Sequence, residues 1–136
     1  MTRHSPIAGA ALLAVLTLAG PAMGAGPSLA MLDQLSPGRW EVRFRGAGVP
    51  AQRLCLASGH GLIQLRHPGA ACERFVVEGG PAHVVVQYTC KGRGYGRTRI
   101  RRESTQLAQI DSQGIANGLP FDLTAEARRV GDCNCG

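Results

Sequence analysis

Cys55 stands five positions before His60 and twelve before His67, and a thiol activated by a neighbouring imidazole is one of the few nucleophiles this 136-residue chain could assemble. The competing expectation for Cys55 is oxidation. All five cysteines (Cys55, Cys72, Cys90, Cys133, Cys135) lie beyond the first fifty residues, and in an oxidising compartment they read as two disulfides and one leftover thiol. The histidines of "GHGLIQLRHPG" then read as loop residues. Zinc is the other use of such side chains. Structural sites draw on C-x2-4-C pairs, whereas the only close pair here is "CNC" at the extreme C-terminus. No G-x-S-x-G elbow or H-E-x-x-H helix occurs, and the five glutamates are scattered without pairing for acid–base work. The sequence assigns no catalytic residue, no metal ligand and no cofactor.

The compartment follows from the first residues. Arg3 and His4 precede the apolar run "IAGAALLAVLTLAG" and the small-residue stretch "PAMGAG", the layout of a secretory leader cleaved after Gly24 or Ala25. The apolar run falls short of the roughly 20 residues that span a bilayer, so no transmembrane span is expected once the leader is removed. No cysteine follows it closely enough for a lipid anchor. The expected location is the periplasm or the medium. What remains suffices for one domain with one core, giving a leader at 1–25, a lead-in at 26–37, a single β-rich domain at 38–133 and a tail at 134–136.

The basic character of the chain is local. Its net charge is +6, and six of its fifteen Lys and Arg residues fall in "CKGRGYGRTRIRR", Cys90 to Arg102. A phosphate-cradling loop would place these glycines before a helix, but alternating Thr-Arg-Ile-Arg follows. A nucleic-acid arm would use Tyr95 for stacking between Arg93 and Arg97; the leader and the scarcity of aromatics argue against it, and no nucleic-acid partner is expected. The plainer reading is a hairpin turn entering a strand whose arginine-rich outer face discourages edge-to-edge pairing. Arg93, Arg97, Arg99, Arg101 and Arg102 are the candidate contacts to an anionic surface.

Hydrophobic periodicity supplies the elements. "RWEVRFR" alternates, with Trp40, Val42 and Phe44 on one face, and is a half-buried strand. "QRLCLAS" is a second strand, and one helical turn is expected around Leu29 to Leu35 and another within Leu62 to Arg66. "ERFVVEGG" and "AHVVVQYTC" form a hairpin about Gly79, Gly80 and Pro81. "RTRIRRE" and a weaker strand over Leu107 to Ile110 follow, "DSQG" and "NGLP" have turn chemistry, and "FDLTAEARRV" turns Phe121, Leu123, Ala125 and Ala127 inward. The fold expected is all-β in the main, an antiparallel meander of six or seven strands forming a curved open sheet or partial barrel, with room for one short helix.

With Pro81 near the centre of the hairpin, Val76 faces Val86, Val77 faces Val85 and Cys72 faces Cys90. Opposed Cα atoms about 5 Å apart suit a disulfide. By elimination Cys55 pairs near the C-terminus with Cys133, for which Cys135 could substitute.

Taken together, "PGRWEV", "RLCL", "CERF", "QYTCKGRGYGRTRI", "IDSQGIANGLPF" and "EARRVGDC" resemble a family of small exported proteobacterial proteins catalogued only as a domain of unknown function. The resemblance spans about Leu35 to Cys133. It implies a β-rich periplasmic domain with paired cysteines, and no activity. The leading functional expectation is a non-enzymatic module binding a small apolar ligand in the concavity of the sheet, or a partner. A binder of an anionic envelope component, lipopolysaccharide or phospholipid head group, comes second, and a thiol or hydrolytic enzyme on Cys55, His60 and His67 third.

Overall fold

The computed structural model describes residues 26–46 and 48–133, with isolated positions 2, 15, 16 and 20. Apart from those four positions, the expected leader lies outside the described residues, as does the 134–136 tail with Cys135.

Seven strands form one open antiparallel sheet: β1 Gly38–Phe44, β2 Gln52–Leu56, β3 Glu73–Gly79, β4 His83–Cys90, β5 Gly94–Ser104, β6 Leu107–Ala116 and β7 Leu119–Gly131. In space they run β2-β1-β7-β6-β5-β4-β3. From β3 onward the chain is a meander of hairpins. β1 then pairs with β7 as well as β2, setting Phe44 opposite Ala125. Among the described residues helical structure is confined to two 3-10 turns, Ala30–Gln34 and Gly59–Leu62.

Period-two patterning determines which face is dry. Trp40, Val42, Val84, Val86, Tyr88, Ile100, Ala108, Ile110, Leu123, Ala125 and Ala127 are buried on the inner face. The covering layer comes from the chain itself. The first 3-10 turn and the residue after it bring Met31, Leu32 and Leu35, and the segment from Gly59 onward brings Leu62, Ile63 and Leu65, all buried. Burying a leucine-sized side chain gains about 1.5–3 kcal/mol, so these six form the covering layer of the core. Two polar anchors fix that layer. Trp40 Nε1 donates to the Ser36 carbonyl at 2.9 Å, and Thr98 Oγ1, 2.7 Å from Ser112 Oγ, donates to the Ile63 carbonyl at 2.6 Å. The concavity expected to hold a small apolar ligand is occupied by the protein's own leucines and isoleucine.

Two disulfides complete the frame. Cys72 joins Cys90 across the β3–β4 hairpin, Cα atoms 4.2 Å apart, and Cys55 joins Cys133, Cα atoms 5.8 Å apart, tying β2 to the residues after β7.

The structure corrects four local expectations. Val76 faces Val86, but a bulge at Val77 puts Glu78 opposite Val85. "DSQG" is not a turn: β6 continues through it, because each residue is paired on both sides, Asp111 with Arg99 and Thr124, Gly114 with Gly96 and Phe121, and a two-sided ladder outweighs local turn preference. β5 begins at Gly94 rather than Arg97, its turn tightened to the residues before it. Finally, β5 is an interior strand between β4 and β6, so its arginines guard no edge. The "NGLP" turn is present, with Asn117 and Gly118 at φ 53° and 76° linking β6 to β7.

Candidate functional site

The thiol–imidazole arrangement is not assembled. Cys55 is bonded to Cys133, and His60 Nε2 lies 3.1 Å from Asp33 Oδ1 at the surface. His67, expected in a loop, is instead buried at 5 % exposure. Its Nε2 faces two acceptors, the carbonyls of Arg93 at 3.1 Å and Ile115 at 3.0 Å, and so carries the hydrogen; in the neutral ring Nδ1 then accepts from the Tyr88 hydroxyl at 2.9 Å. The imidazole reaches both carbonyls because Gly94 lies between them. That residue has φ 116°, and a Cβ there would run into the Ile115 carbonyl and come within 3.1 Å of Nε2. Burial pushes the Tyr88 phenol above its ordinary value, partly opposed by the Arg66 charge and the Ser112 hydroxyl. His67 is thus a latch that holds the covering segment to β4, β6 and the β4–β5 turn, and it has no open side toward a substrate.

The five candidate arginines divide. Arg97, Arg99 and Arg101 form a column on the outer face of β5. Arg93 sits in the turn, where its carbonyl serves His67. Arg102 points to the opposite side; its guanidinium contacts the Pro81 carbonyl at 3.4 Å and its Nε is buried without a partner. The column does not stand alone either. Across the same face the ladder sets Asp111 beside Arg99, Gln109 beside Arg101, and Asp122 next to Gln113. The outer face is mixed in sign, not a basic patch.

Its two halves differ in how its groups are satisfied. Over β1, β2 and the adjacent stretches of β6 and β7 the side chains bind each other. Arg43 contacts Glu41 at 2.6 Å, Arg53 contacts Glu41 at 3.4 Å, Arg128 contacts Glu126 at 3.2 Å, and Gln109 joins Glu126 at 3.2 Å. Arg43 in particular holds the Glu41 carboxyl below its ordinary value, and the Gln109 amide, followed by Arg128, does the same for Glu126. Over β4, β5 and the other ends of β6 and β7 the pairing is patchier: Arg101 contacts Glu103 at 3.1 Å, Glu78 lies 2.9 Å from His83 Nε2, and Asp111 accepts from Thr124 Oγ1 at 3.0 Å. Gln87, Arg97, Arg99, Gln113 and Asp122 are exposed, and among the described residues none has a side-chain hydrogen bond or ion pair.

Those five line a trough of two adjoining depressions. One, about 540 Å³, is bounded by Gln87, Thr89, Tyr95, Arg97, Gln113 and Pro120, over a floor that includes Gly96 and Gly114. The other, about 320 Å³, takes in Arg97, Gln113, Arg99, Glu78, Asp111 and Asp122. Arg97 and Gln113 belong to both. Pairing explains the layout. Gln87, Arg97, Gln113 and Asp122 form one cross-strand row, and Thr89, Tyr95, Ile115 and Pro120 form the next. A polar row therefore runs beside a largely apolar shelf, on which Tyr95 is 54 % exposed. The composition of "CKGRGYGRTRIRR" points to Arg97 and Tyr95; Gln87, Gln113 and Pro120 carry no local signal, since only the register brings them alongside.

Among the described residues no group of three His, Cys, Asp or Glu is placed to hold a metal ion, and no helix is long and apolar enough to cross a membrane. No protein-family model, curated protein or solved structure matches the chain.

Proposed function

We propose that this chain is an exported, non-catalytic binding module whose ligand lies in the outer-face trough centred on Arg97. The carrying observation is the contrast between the two halves of that face. Over β1 and the adjoining end of β7 arginine, glutamine and carboxylate side chains pair with one another, whereas among the described residues Gln87, Arg97, Arg99, Gln113 and Asp122, which line the trough, have no side-chain partner. Concave sites with a few convergent polar groups and an apolar wall are the usual form of small-ligand pockets, and this one has the usual size.

Export rests on the leader-like start of the sequence together with two disulfides, which are consistent with an oxidising, extracytoplasmic location. The periplasm is the compartment proposed, in keeping with the resemblance in the sequence. Binding of an extended polyanion is the weaker reading. Such a ligand would have to lie over Glu78, Asp111 and Asp122 to reach Arg97 and Arg99 together.

The test is retention of small molecules from a cell-envelope extract, read by native mass spectrometry on the disulfide-bonded protein. A component held by the wild type and lost in Arg97→Ala and in Gln113→Ala supports the reading. A component held equally by all three proteins, or none held at all, sinks it.

A further inference from the structure

We infer that the ligand of the trough is a saccharide bearing a carboxylate, its ring lying on Tyr95 and Pro120 and its carboxylate on Arg97 between Gln87 and Gln113. The inference rests on the reading just given and names the ligand class.

Directly opposed side chains on neighbouring strands stand about 5 Å apart. Gln87, Arg97 and Gln113 therefore present amide, guanidinium, amide in one line across three strands. A guanidinium offers its N–H groups in a planar fork that fits a carboxylate with two parallel bonds. Each flanking amide both donates and accepts, which suits hydroxyls on either side of that carboxylate. No carboxylate lines this depression itself; Asp122 is the next residue of the row, on the far side of Gln113 from Arg97.

The adjoining row supplies the other requirement of a sugar, a surface for its C–H face. Tyr95 is half-exposed beside Ile115, with Pro120 one strand further along the row, and a tyrosine ring offers an apolar body with a polar tip. The second depression continues the trough with three carboxylates around Arg97 and Arg99: Asp122 has no side-chain partner among the described residues, Glu78 lies 2.9 Å from His83 Nε2, and Asp111 accepts from Thr124 Oγ1 at 3.0 Å. Donors gathered at one end and acceptors at the other describe a ligand with hydroxyls along its length and one acidic substituent. A phosphate group would need more than the single guanidinium that the larger depression offers, since a doubly charged oxyanion is better met by several cations.

Calorimetric titration of the purified protein with a linear oligogalacturonate and with its neutral galactose counterpart tests the assignment. The uronate should bind at least about tenfold more tightly, the scale expected of one charge-assisted pair. Arg97→Ala should reduce uronate affinity to the neutral level, whereas Tyr95→Ala should weaken both sugars by a similar factor. Equal binding of both sugars, or a preference that survives Arg97→Ala, overturns the carboxylate assignment. If neither sugar binds while the wild type still retains an envelope component in an Arg97-dependent way, the saccharide inference fails and the proposed function stands. Identification of that component as a phosphorylated lipid head group would have the same consequence. If nothing is retained, both fail.

Discussion

The imidazole of His67 meets the hydroxyl of Tyr88 at 2.9 Å, with the two rings edge to face and their centroids 5.3 Å apart beneath the inner face of the sheet. Twenty-one positions separate them in sequence. His67→Ala strips this hydroxyl and two backbone carbonyls of their partner at once, and leaving buried polar groups unsatisfied costs about 1–3 kcal/mol for each. We expect a loss of about 3 kcal/mol, read by urea denaturation, with Tyr88→Phe losing less because only one bond goes. A loss below about 0.5 kcal/mol, the range of neutral surface changes, would contradict the latch.

Tyr88 should also set the alkaline limit of the fold. Burial raises its pKa in the native state, so as pH climbs the unfolded chain releases this proton before the folded one does. The contribution is fully present below the ordinary tyrosine value, near 10, and drains away as pH rises through the higher native value. Urea midpoints measured upward from about pH 9 should fall in the wild type and fall less steeply in Tyr88→Phe. Identical slopes would show that the phenol is not responsible.

Gly96 lies under the Tyr88 ring, where a Cβ would stand 2.5 Å from the ring carbon that bears the hydroxyl. Gly96→Ala must move the ring and with it the bond to His67, an overpacking change of about 1–3 kcal/mol. A double-mutant cycle with His67→Ala should show coupling, because both substitutions act through one ring. Strict additivity would mean that the ring can shift without losing the imidazole.

Removing the disulfides as serine pairs should rank them by the loop each closes. Cys55 and Cys133 are 78 positions apart and Cys72 and Cys90 are 18 apart, which in the chain-entropy account gives about 4.5 and about 3 kcal/mol. Thermal denaturation of the two double variants should place the Cys55/Cys133 pair lower. The reverse order would mean that the β3–β4 hairpin depends on its cross-link more than β2 does.

How much of this is legible in the sequence depends on whether a residue's environment is made by its neighbours along the chain. β1 and β7 carry strict alternation, and Trp40, Val42, Phe121, Leu123, Ala125 and Ala127 fall inward as that alternation requires. The same holds for the Cys72–Cys90 bond, because a hairpin is a local object. His67 escapes such a reading because it sits among glycine and proline in a segment without period, and its burial is created by Tyr88 and Ile115, far along the chain. Gly114 and Asp111 resemble turn residues for the opposite reason: their local preference is real, but β5 and β7 on either side pair every residue. The trough falls between these cases. Arg97 and Tyr95 announce themselves by composition, whereas the glutamines beside Arg97 are ordinary strand residues until the register is known.

The position of β1 between β2 and β7 has a kinetic consequence. β3 to β7 can zip up hairpin by hairpin from contacts close in sequence, but β1 finds its second neighbour only when the last strand exists, so the sheet is completed by a pairing of high contact order. A chain halted before β7 would carry two unsatisfied edges beyond those of β2 and β3, on β1 and on β6, the sort of surface that pairs with the wrong molecule. Holding the chain unfolded until its last strand has been made would bring both halves of that last pairing together at the same moment.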